Sequence, residues 1–433
     1  MWYALIDAQR RLTRAIAGRP QDECGSVPCA AAPWVDPGNA ANALSQWLLR
    51  STCAFGQAPS FAIQSVSSMG GRITIDEHVV ESLPTGTLRS FTRNRIAPEP
   101  AGKWPVVLCT PLAGHHAVML RETVETLLEE RDVFITDWAD ARDVPREAGS
   151  LSLDDYVLAL ERFIGTARAQ GSPVHVVAVC QATVPALAAA ALLASSVQPV
   201  PFVSVSLLGG PIDTRLNPTL VDRFASSYSL DWFRGHVIDI VPPAYRGAGR
   251  RVYPGFIQQA GIIAAHPERQ FCLESTYWSK WLAGDVPGAM KALRSLNEYA
   301  AVLDMAECYF LDIIRVVFHE HLLPRRMWSV AGRRVATEAL GHIPLCTIEG
   351  DCDDISGAGQ THCAHALCKT SPARADRQFT VARCNHYDLF TGSRWRDVVH
   401  PRLCDFWREV ENAALDIPYK PGNATHANRR RQA

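Results

Sequence analysis

A switch from strand-forming to helix-forming residues in "VHVVAVCQATVPALAAAALLA", Val174 to Ala194, constrains the fold of this chain most strongly. The valine-rich run up to Cys180 favours a buried strand, and the alanine-rich run after it favours a helix. A strand that turns sharply into a helix raises the residue at the turn above the sheet edge and directs helix N–H groups at it. Cys180 is therefore a candidate nucleophile, although a buried cysteine on an alanine helix is more often a core residue.

The same region is free of charge, which makes a membrane span the competing interpretation. No Asp, Glu, Lys or Arg occurs from Val174 to Pro211. However, His175, Gln181 and several prolines interrupt the run, and its two ends are β-branched while its middle is alanine-rich. A buried strand, helix and strand fit this pattern better than one long apolar helix, so we predict no transmembrane segment.

Composition excludes some classes of function. The 433 residues are 47% hydrophobic and 20% charged, as in a globular protein with a sizeable core, and the net charge of −1 gives no overall attraction to nucleic acid. The thirteen cysteines are irregularly spaced, and "MWYALIDAQRRLTRAIAG" carries charges throughout instead of the apolar core of an export signal. We therefore predict free thiols in a cytoplasmic protein.

Strand and helix signals alternate in the first half of the chain, as in a parallel α/β sheet. Buried strands are predicted over Pro105–Cys109 and Asp132–Trp138, and a helix with Ser152 as its N-cap follows. After Asp213 the alternation stops and aromatic, mostly helical segments follow. A strand signal resumes in "IPLCTIEGD", before a last helix near the carboxyl end.

This pattern predicts five segments. They are an N-terminal helical region and linker (1–58), two parts of an α/β core (59–213 and 341–412), a helical lid inserted between them (214–340), and a disordered basic tail (413–433). In the first segment, apolar residues fall on one helical face, beginning with Trp2 and Leu5. Docking of this helix on the domain and contact with a lipid or polymer surface are both open interpretations.

The order of reactive residues agrees with a nucleophile, acid and base arrangement. After Cys180, the stretch "IEGDCDDISGAGQ" supplies Asp351, Asp353 and Asp354 just past a strand, and "VARCNHYDLFTG" supplies His386 past the last strand. Nucleophile, acid and histidine follow one another in this order in α/β-hydrolases. Each acid or histidine alone would be an ordinary loop residue, but the three together indicate a catalytic triad.

Backbone N–H groups are the expected oxyanion donors. One would be that of Gln181, and the other that of Leu112 or Ala113 in the loop after an earlier strand. The next residues, His115 and His116, are candidates for substrate contacts or for orienting this loop. A competing cluster of His362, Cys363, His365 and Cys368 matches no closed zinc pattern, so we predict no metal site.

Together these residues resemble the intracellular polyhydroxyalkanoate (polyhydroxybutyrate) depolymerases, which are α/β-hydrolases with a cysteine nucleophile. The resemblance extends from about Phe61 to Trp407. It rests on the stretches "PLAGHHAVMLRETVETLL", "TDWADARDVPREAG", "VCQATVPALAA", "LGGPID", "RRVYPGFIQQAG", "AVLDMA", "GDCDDISGAGQT" and "HYDLFTGSRWR". The chain differs from the usual pattern at Ala182, where the family has Pro, and at Asn385 and Asp388, where it has Gly.

The resemblance implies an α/β-hydrolase fold with a mostly parallel central sheet and a mainly helical lid. It implies Cys180 as nucleophile, His386 as base and Asp353 as acid. The expected activity is hydrolysis of poly(3-hydroxybutyrate) or a similar short-chain polyester through a thioester, on storage granules in the cytoplasm. No cofactor is expected, although coenzyme A as the acyl acceptor instead of water stays open.

The lid should contribute aromatic side chains that line an apolar channel, and Trp232, Tyr253 and Trp278 are the candidates for substrate binding. Two alternatives to the depolymerase are a synthase-like acyltransferase with the same triad and a non-catalytic protein of the granule surface. The sequence gives no indication of the oligomeric state.

Overall fold

A nine-stranded sheet forms the centre of the protein. The computed structural model describes residues 2–16, 58–68, 71–94, 103–196, 200–369 and 377–415. The strands of the sheet are β1 (Ser65–Ser68), β2 (Gly71–Leu83), β3 (Gly86–Asn94), β4 (Val106–Cys109), β5 (Val133–Trp138), β6 (Val174–Val179), β7 (Phe202–Leu208), β13 (Leu345–Gly350) and β14 (Arg377–Val381). Two small sheets lie between β7 and β13. One has three strands, β8 (Asp239–Ile240), β9 (Arg251–Tyr253) and β10 (Met305–Ala306), and the other has two, β11 (Ser329–Val330) and β12 (Arg333–Arg334).

The strand order identifies the fold. Across the large sheet the order is β1-β2-β3-β5-β4-β6-β7-β13-β14. Strands β5, β4, β6, β7, β13 and β14 pair in parallel, whereas β1, β2 and β3 are antiparallel to their neighbours. With helices following the parallel strands, this is an α/β-hydrolase fold with a mostly parallel sheet, as the sequence predicts.

Helices connect the strands and form the insertion between β7 and β13. They are α1 (Trp2–Ile16), α2 (Arg121–Leu128), α3 (Leu153–Ala169), α4 (Thr183–Ser196), α5 (Leu220–Ser227), α6 (Leu230–His236), α7 (Gly255–Ala265), α8 (Pro267–Leu282), α9 (Val286–Ala300), α10 (Glu307–Ile313), α11 (Ala364–Cys368), α12 (Gly392–Arg394) and α13 (His400–Leu415). Ser152 caps α3 as predicted, because its hydroxyl accepts from Asp155 N while Asp155 Oδ2 accepts from Ser152 N.

The charge-free stretch of the sequence lies in the interior. Every residue of β6 is buried, and so is every residue of α4 from Thr183 to Ala194. Small alanine side chains let this helix pack closely against the sheet and against α3, and burial on all sides leaves no position for a charge. Within the described ranges, no helix combines the length and the apolar character needed to cross a bilayer.

Helix α1 docks on the insertion through polar side chains. Tyr3 is buried, its hydroxyl donates to Asp304 Oδ2 over 2.5 Å, and its backbone N–H donates to Asp239. Asp7 on the same face accepts from the Tyr245 hydroxyl at 2.6 Å. The apolar residues Trp2, Leu5 and Leu12 are exposed instead. The apolar face seen in the sequence is therefore not the docking face, because the surface that receives the helix is lined by acids.

The last helix is tied to the centre of the sheet by a buried ion cluster. Glu411 on α13 pairs with Arg131, accepts from the backbone N–H of Trp104 at 3.0 Å, and contacts His175 Nε2 on β6 at 3.1 Å. The other nitrogen of His175 is 2.7 Å from the Ser204 hydroxyl. Despite burial, the hydrogen bonds from His175 and Arg131 lower the pKa of Glu411 to about 2, so the carboxylate stays charged.

The proposed division into five segments stays a prediction. Residues 17–57, which contain most of the predicted linker, and the predicted tail from residue 416 onward lie outside the described residues. Between β7 and β13 the structure contains helices α5 to α10, and α8 and α9 form a hairpin around Tyr277, Ala289 and Leu296.

Candidate active site

Cys180 occupies the turn between β6 and α4. Its φ of +53° lies in the left-handed region, which is unusual for a residue other than glycine and is typical of strained functional turns. The Thr183 hydroxyl donates to the Cys180 carbonyl over 2.8 Å and holds the turn closed. Cys180 is half-buried, whereas the residues on the strand before it are fully buried. The turn therefore lifts the thiol out of the core.

Asp353 follows β13 in a loop ordered by hydrogen bonds. Its Oδ1 accepts from the backbone N–H groups of Ile355 at 2.9 Å and Ser356 at 2.8 Å. The later part of this loop is held by Glu349 on β13, whose buried carboxylate accepts from the backbone N–H groups of Gly359, Thr361 and His362. These bonds leave Asp353 Oδ2 free to serve a different partner.

That partner is His386, in the loop after β14. His386 Nδ1 donates to Asp353 Oδ2 over 2.9 Å, and both side chains are almost completely buried. Burial acts to lower the pKa of His386, but the charges of Cys180 and Asp353 and the hydrogen bond to Asp353 raise it well above its usual value. The imidazole therefore lies between the thiol and the carboxylate and is suited to hold a proton beside a thiolate.

A glycine provides the space for this pair. Gly209, directly after β7, has a φ of +56°. A Cβ at this position would lie 2.7 Å from Leu389 Cδ1, 3.3 Å from Asp353 Oδ2 and 3.4 Å from His386 Cε1. A larger residue would therefore press on the hydrogen-bonded pair as well as strain the backbone.

One of the predicted oxyanion donors, the backbone N–H of Ala113, is hydrogen-bonded to a side chain of the site. The backbone N–H of Ala113 donates to Gln181 Oε1 over 3.0 Å, and the Tyr309 hydroxyl donates to the same oxygen over 2.9 Å. Leu112 is buried beside it. The Ala113 N–H thus donates to the neutral side-chain amide of the residue after Cys180. Whether Leu112, Ala113 and Gln181 serve an oxyanion stays a prediction.

The insertion packs on the loop that carries these donors. Gly114 N donates to Gln258 Oε1 at 3.2 Å, and His116 N donates to the carbonyl of Ala301 at 2.9 Å. His115 forms a β-bridge with Val302. Helices α7 and α9 therefore fix the loop that follows β4 and border the site.

The two predicted loop histidines have different surroundings. The His115 ring lies against Tyr299, with centroids 5.0 Å apart, and 6.2 Å from the ring of Tyr387. His116 Nε2 lies 4.0 Å from Asp140 Oδ2 on the other side of the loop. Burial lowers the pKa of His115 to about 3 and that of His116 to about 4, so both rings are neutral near pH 7.

One protein family matches the second half of the chain. Residues 209–411 match the family described as "PHB de-polymerase C-terminus". The match covers a little under half of the chain and includes Asp353 and His386, while Cys180 precedes it. Together with the fold, it indicates an ester hydrolase.

Solved α/β-hydrolases overlay loosely on the chain. A hydrolase of 2-hydroxy-6-oxo-6-phenylhexa-2,4-dienoate from Rhodococcus sp. strain RHA1 is 15% identical, with 77% of this chain and 100% of that one covered and a TM-score of 0.41. A monoacylglycerol lipase from Paleococcus ferrophilus is 10% identical (78% and 99% covered, TM-score 0.41), and an alpha/beta hydrolase from Penicillium sp. sh18 is 12% identical (78% and 99% covered, TM-score 0.44). These values are too low to transfer a property of those enzymes to this chain. No protein of curated function matches the sequence.

The aromatic residues predicted to bind substrate lie in three separate parts of the insertion. Tyr253 packs on Phe310 with ring centroids 4.5 Å apart, next to the Tyr309 that contacts Gln181. Trp232 stacks on Tyr228 and His236, and Trp278 packs within the hairpin of α8 and α9. Of the three, Tyr253 is adjacent in the fold to a residue of the site. Their role in substrate binding stays a prediction.

The His and Cys cluster near residue 365 is part of the loop structure. His362 Nδ1 and His365 Nε2 lie 2.7 Å and 3.0 Å from the same Thr347 hydroxyl, and Cys363 Sγ donates to the Gln360 carbonyl. In the part of the chain that the structure describes, no group of three or more His, Cys, Asp or Glu residues has the arrangement of a metal site.

Sequence reasoning did not single out four residues around the triad. Tyr309 holds Gln181, Tyr299 and Tyr387 surround His115, and Arg269 lies over the ring of Tyr387. Tyr387 directly follows the base and was within reach of a sequence argument. Arg269, Tyr299 and Tyr309 come from the insertion, where no local pattern distinguishes them from other surface and core positions.

Proposed function

We propose that this protein hydrolyses the ester bonds of poly(3-hydroxybutyrate) or a similar short-side-chain polyester with a Cys-His-Asp triad. The observation that carries the proposal is the geometry of Cys180, His386 and Asp353, each at the end of a parallel strand. His386 Nδ1 donates to Asp353, its Nε2 is buried without a hydrogen-bond partner among the described residues, and the charge of Cys180 helps to raise the pKa of the ring. The family match of residues 209–411 supports the choice of substrate.

In this mechanism His386 takes the proton of the Cys180 thiol, and Asp353 stabilises the resulting imidazolium. The thiolate attacks the ester carbonyl and forms a tetrahedral intermediate. As this collapses, the ester C–O bond breaks, and His386 gives the proton to the departing alkoxide oxygen. The acyl part of the substrate is left as a thioester on Cys180. Water, deprotonated by His386, then attacks the thioester and releases the acyl part as a hydroxy acid.

The oxyanion of each intermediate takes the position now held by Gln181 Oε1. The Ala113 N–H that donates to this amide oxygen would turn to the substrate oxygen once the Gln181 side chain moves aside. The backbone N–H of Gln181 supplies the second donor, with Leu112 as the alternative in the loop. A charged oxygen is a stronger acceptor than a neutral amide, so the exchange favours the transition state.

The polyester has methyl groups and ester oxygens but no charge along its length, which suits a site bordered by aromatic side chains of the insertion. Residues 214–340 would act as a lid over Cys180, and Tyr253 is the best-placed of the predicted aromatic contacts. The protein would then work on the surface of polyester granules inside the cell.

The decisive experiment incubates the purified protein with amorphous poly(3-hydroxybutyrate) granules, with and without coenzyme A. Release of soluble 3-hydroxy acid without coenzyme A, lost in Cys180→Ala, is the expected result. Cys272→Ala is the matched control, because Cys272 is exposed on α8 and should keep the activity. Products that form only with coenzyme A would assign an acyltransferase instead, and no product under either condition would contradict the proposal.

A further inference from the structure

Buried polar groups without partners lie beside the triad. The hydroxyl of Tyr299 and at least one ring nitrogen of His115 have no hydrogen-bond partner among the described residues. The side chains are nevertheless enclosed, since Tyr299 is 2% exposed and His115 is 9% exposed. Buried polar groups of this kind are normally satisfied, so two such side chains together indicate that a polar ligand binds beside them.

A guanidinium completes the cluster. The Arg269 Cζ lies 4.0 Å from the ring centroid of Tyr387 and 5.2 Å from that of Tyr299. Its Nε is buried without a hydrogen-bond partner among the described residues. Glu268, the acid next to Arg269 in the sequence, and Asp354 both lie 3.7 Å from His266 Nδ1 and are mostly exposed. The charge of Arg269 is therefore not neutralised by a close carboxylate of the described chain.

The cluster is one aromatic ring away from the reacting groups. The ring of Tyr387 lies 5.8 Å from that of His386, and Arg269 lies over the same tyrosine. A 3-hydroxyalkanoate unit adds four backbone atoms, about 5 Å of chain at ordinary bond lengths. One or two such units therefore bridge the distance from the attacked ester to the guanidinium.

We infer that Arg269, Tyr299 and His115 form a subsite for the terminal carboxylate of a hydroxyalkanoate chain, an inference that rests on the proposed ester hydrolysis. Arg269 would bind the carboxylate with its planar pair of N–H groups, and the Tyr299 hydroxyl and one His115 N–H would complete the oxygen contacts. The ester that reaches Cys180 would then be the first or second from the carboxyl end.

His115 can serve as a neutral donor in this subsite. Burial and the charge of Arg269 lower the pKa of His115 to about 3, against a weaker opposing effect of the Tyr299 backbone carbonyl. The ring is therefore uncharged near neutral pH, keeps one N–H and adds no second positive charge. The positive charge of the subsite comes from Arg269 alone among its three residues.

The subsite has a consequence for the course of degradation. An ester in the middle of a polymer offers no anion, whereas every chain end and every released oligomer carries one carboxylate. Cleavage would therefore remove one or two hydroxy acids at a time from the carboxyl end, and short oligomers would be better substrates than their neutral derivatives.

A kinetic experiment compares the 3-hydroxybutyrate trimer with its methyl ester, which differs only in the terminal charge. The wild type should have a KM about tenfold or more lower for the acid. In Arg269→Gln the ratio of the KM for the methyl ester to the KM for the acid should fall to near one. Arg269→Lys, which keeps the charge, should retain part of the wild-type ratio. Arg408→Gln, which removes an exposed charge on α13, is the matched control and should keep the wild-type ratio.

A binding experiment separates this inference from the proposed function. Calorimetry with the full-length Cys180→Ala variant should detect binding of the 3-hydroxybutyrate anion but not of methyl 3-hydroxybutyrate. Tyr299→Phe in that background removes the hydroxyl but keeps the ring, and it should weaken binding of the anion. Binding of the anion by Cys180→Ala, together with no ester hydrolysis by the wild type, would support the subsite and reject the proposed hydrolase activity. Equal KM values for acid and methyl ester in the wild type, or equal binding of both ligands, would overturn the subsite.

Discussion

Replacement of Gly209 by alanine should separate the geometry of the triad from the stability of the fold. The substitution adds one methyl group at a backbone with φ of +56°. A residue with a Cβ in this conformation costs about 1–2 kcal/mol. The added methyl would also lie 2.7 Å from the buried Leu389 side chain and 3.3 Å from Asp353 Oδ2, and overpacking of this kind typically costs about 1–3 kcal/mol.

Gly209→Ala should lower kcat as well as the free energy of unfolding. Contacts of 3.3 Å to Asp353 and 3.4 Å to His386 require these side chains to move by a few tenths of an ångström. The pair is fixed on one side by the backbone donors to Asp353, so the displacement is passed to the imidazole that faces Cys180. Since a misplacement of about 1 Å costs on the order of a hundredfold in rate, we expect kcat to fall between about tenfold and a hundredfold.

Gly284→Ala is the matched control. Gly284 has a φ of +72° after α8, and nothing lies within 4 Å of the position of its added Cβ. Both variants therefore carry the backbone strain, and only Gly209→Ala carries the contacts. The assays are kcat on a soluble 3-hydroxybutyrate oligomer and the free energy of unfolding in urea. Equal kcat values for the two variants would refute the spatial role of Gly209.

Three further predictions concern the triad and the buried histidines. Cys180→Ser should keep at most a trace of ester hydrolysis, because a hydroxyl is a weaker nucleophile than a thiolate; near-normal turnover would reject the cysteine mechanism. Asp353→Asn should lower kcat by about four orders of magnitude, whereas Asp351→Asn, at an exposed position, should have little effect; the reverse order would assign the acid to Asp351. Burial lowers the pKa of His115 to about 3 and the pKa values of three further buried histidines, His116, His175 and His400, to about 4. The unfolded chain protonates these rings near pH 6.5, so unfolding at pH 5 should take up about three to four protons, and the free energy of unfolding should fall as the pH drops from 7 to 4.5. Urea midpoints across this range provide the measurement, and a flat profile would contradict it.

The parts of the structure that follow from local pattern were accessible from the sequence. Alternation of apolar runs predicts the parallel strands, and the switch at Cys180 predicts the strained turn. The order of Cys180, Asp353 and His386 along the chain predicts their meeting at one sheet edge, because the ends of parallel strands lie on the same side. The structure joins Asp353 and His386 by a hydrogen bond of 2.9 Å.

Contacts between distant segments were not accessible in this way. The sequence of α1 indicates an apolar face with Trp2 and Leu5, but the helix docks through Tyr3 and Asp7, which hydrogen-bond to Asp304 and to the Tyr245 hydroxyl of the insertion. Likewise, Arg269 has no partner nearby in sequence, and its position over Tyr387 depends on how α8 packs. Such pairings are set by tertiary structure, about which periodicity carries no information.

The ion cluster at Glu411 has a consequence for how the chain acquires its structure during synthesis. His175 sits on a central strand, yet its charged partner is 236 residues farther along the chain. At typical ribosomal rates of roughly 5–20 residues per second, the strand waits about 12–50 seconds for this partner to be made. Until then the positive charge of Arg131 and the ring of His175 have no carboxylate from α13. The sheet therefore cannot reach its final packing as it leaves the ribosome, and during that interval its apolar strands are exposed to aggregation.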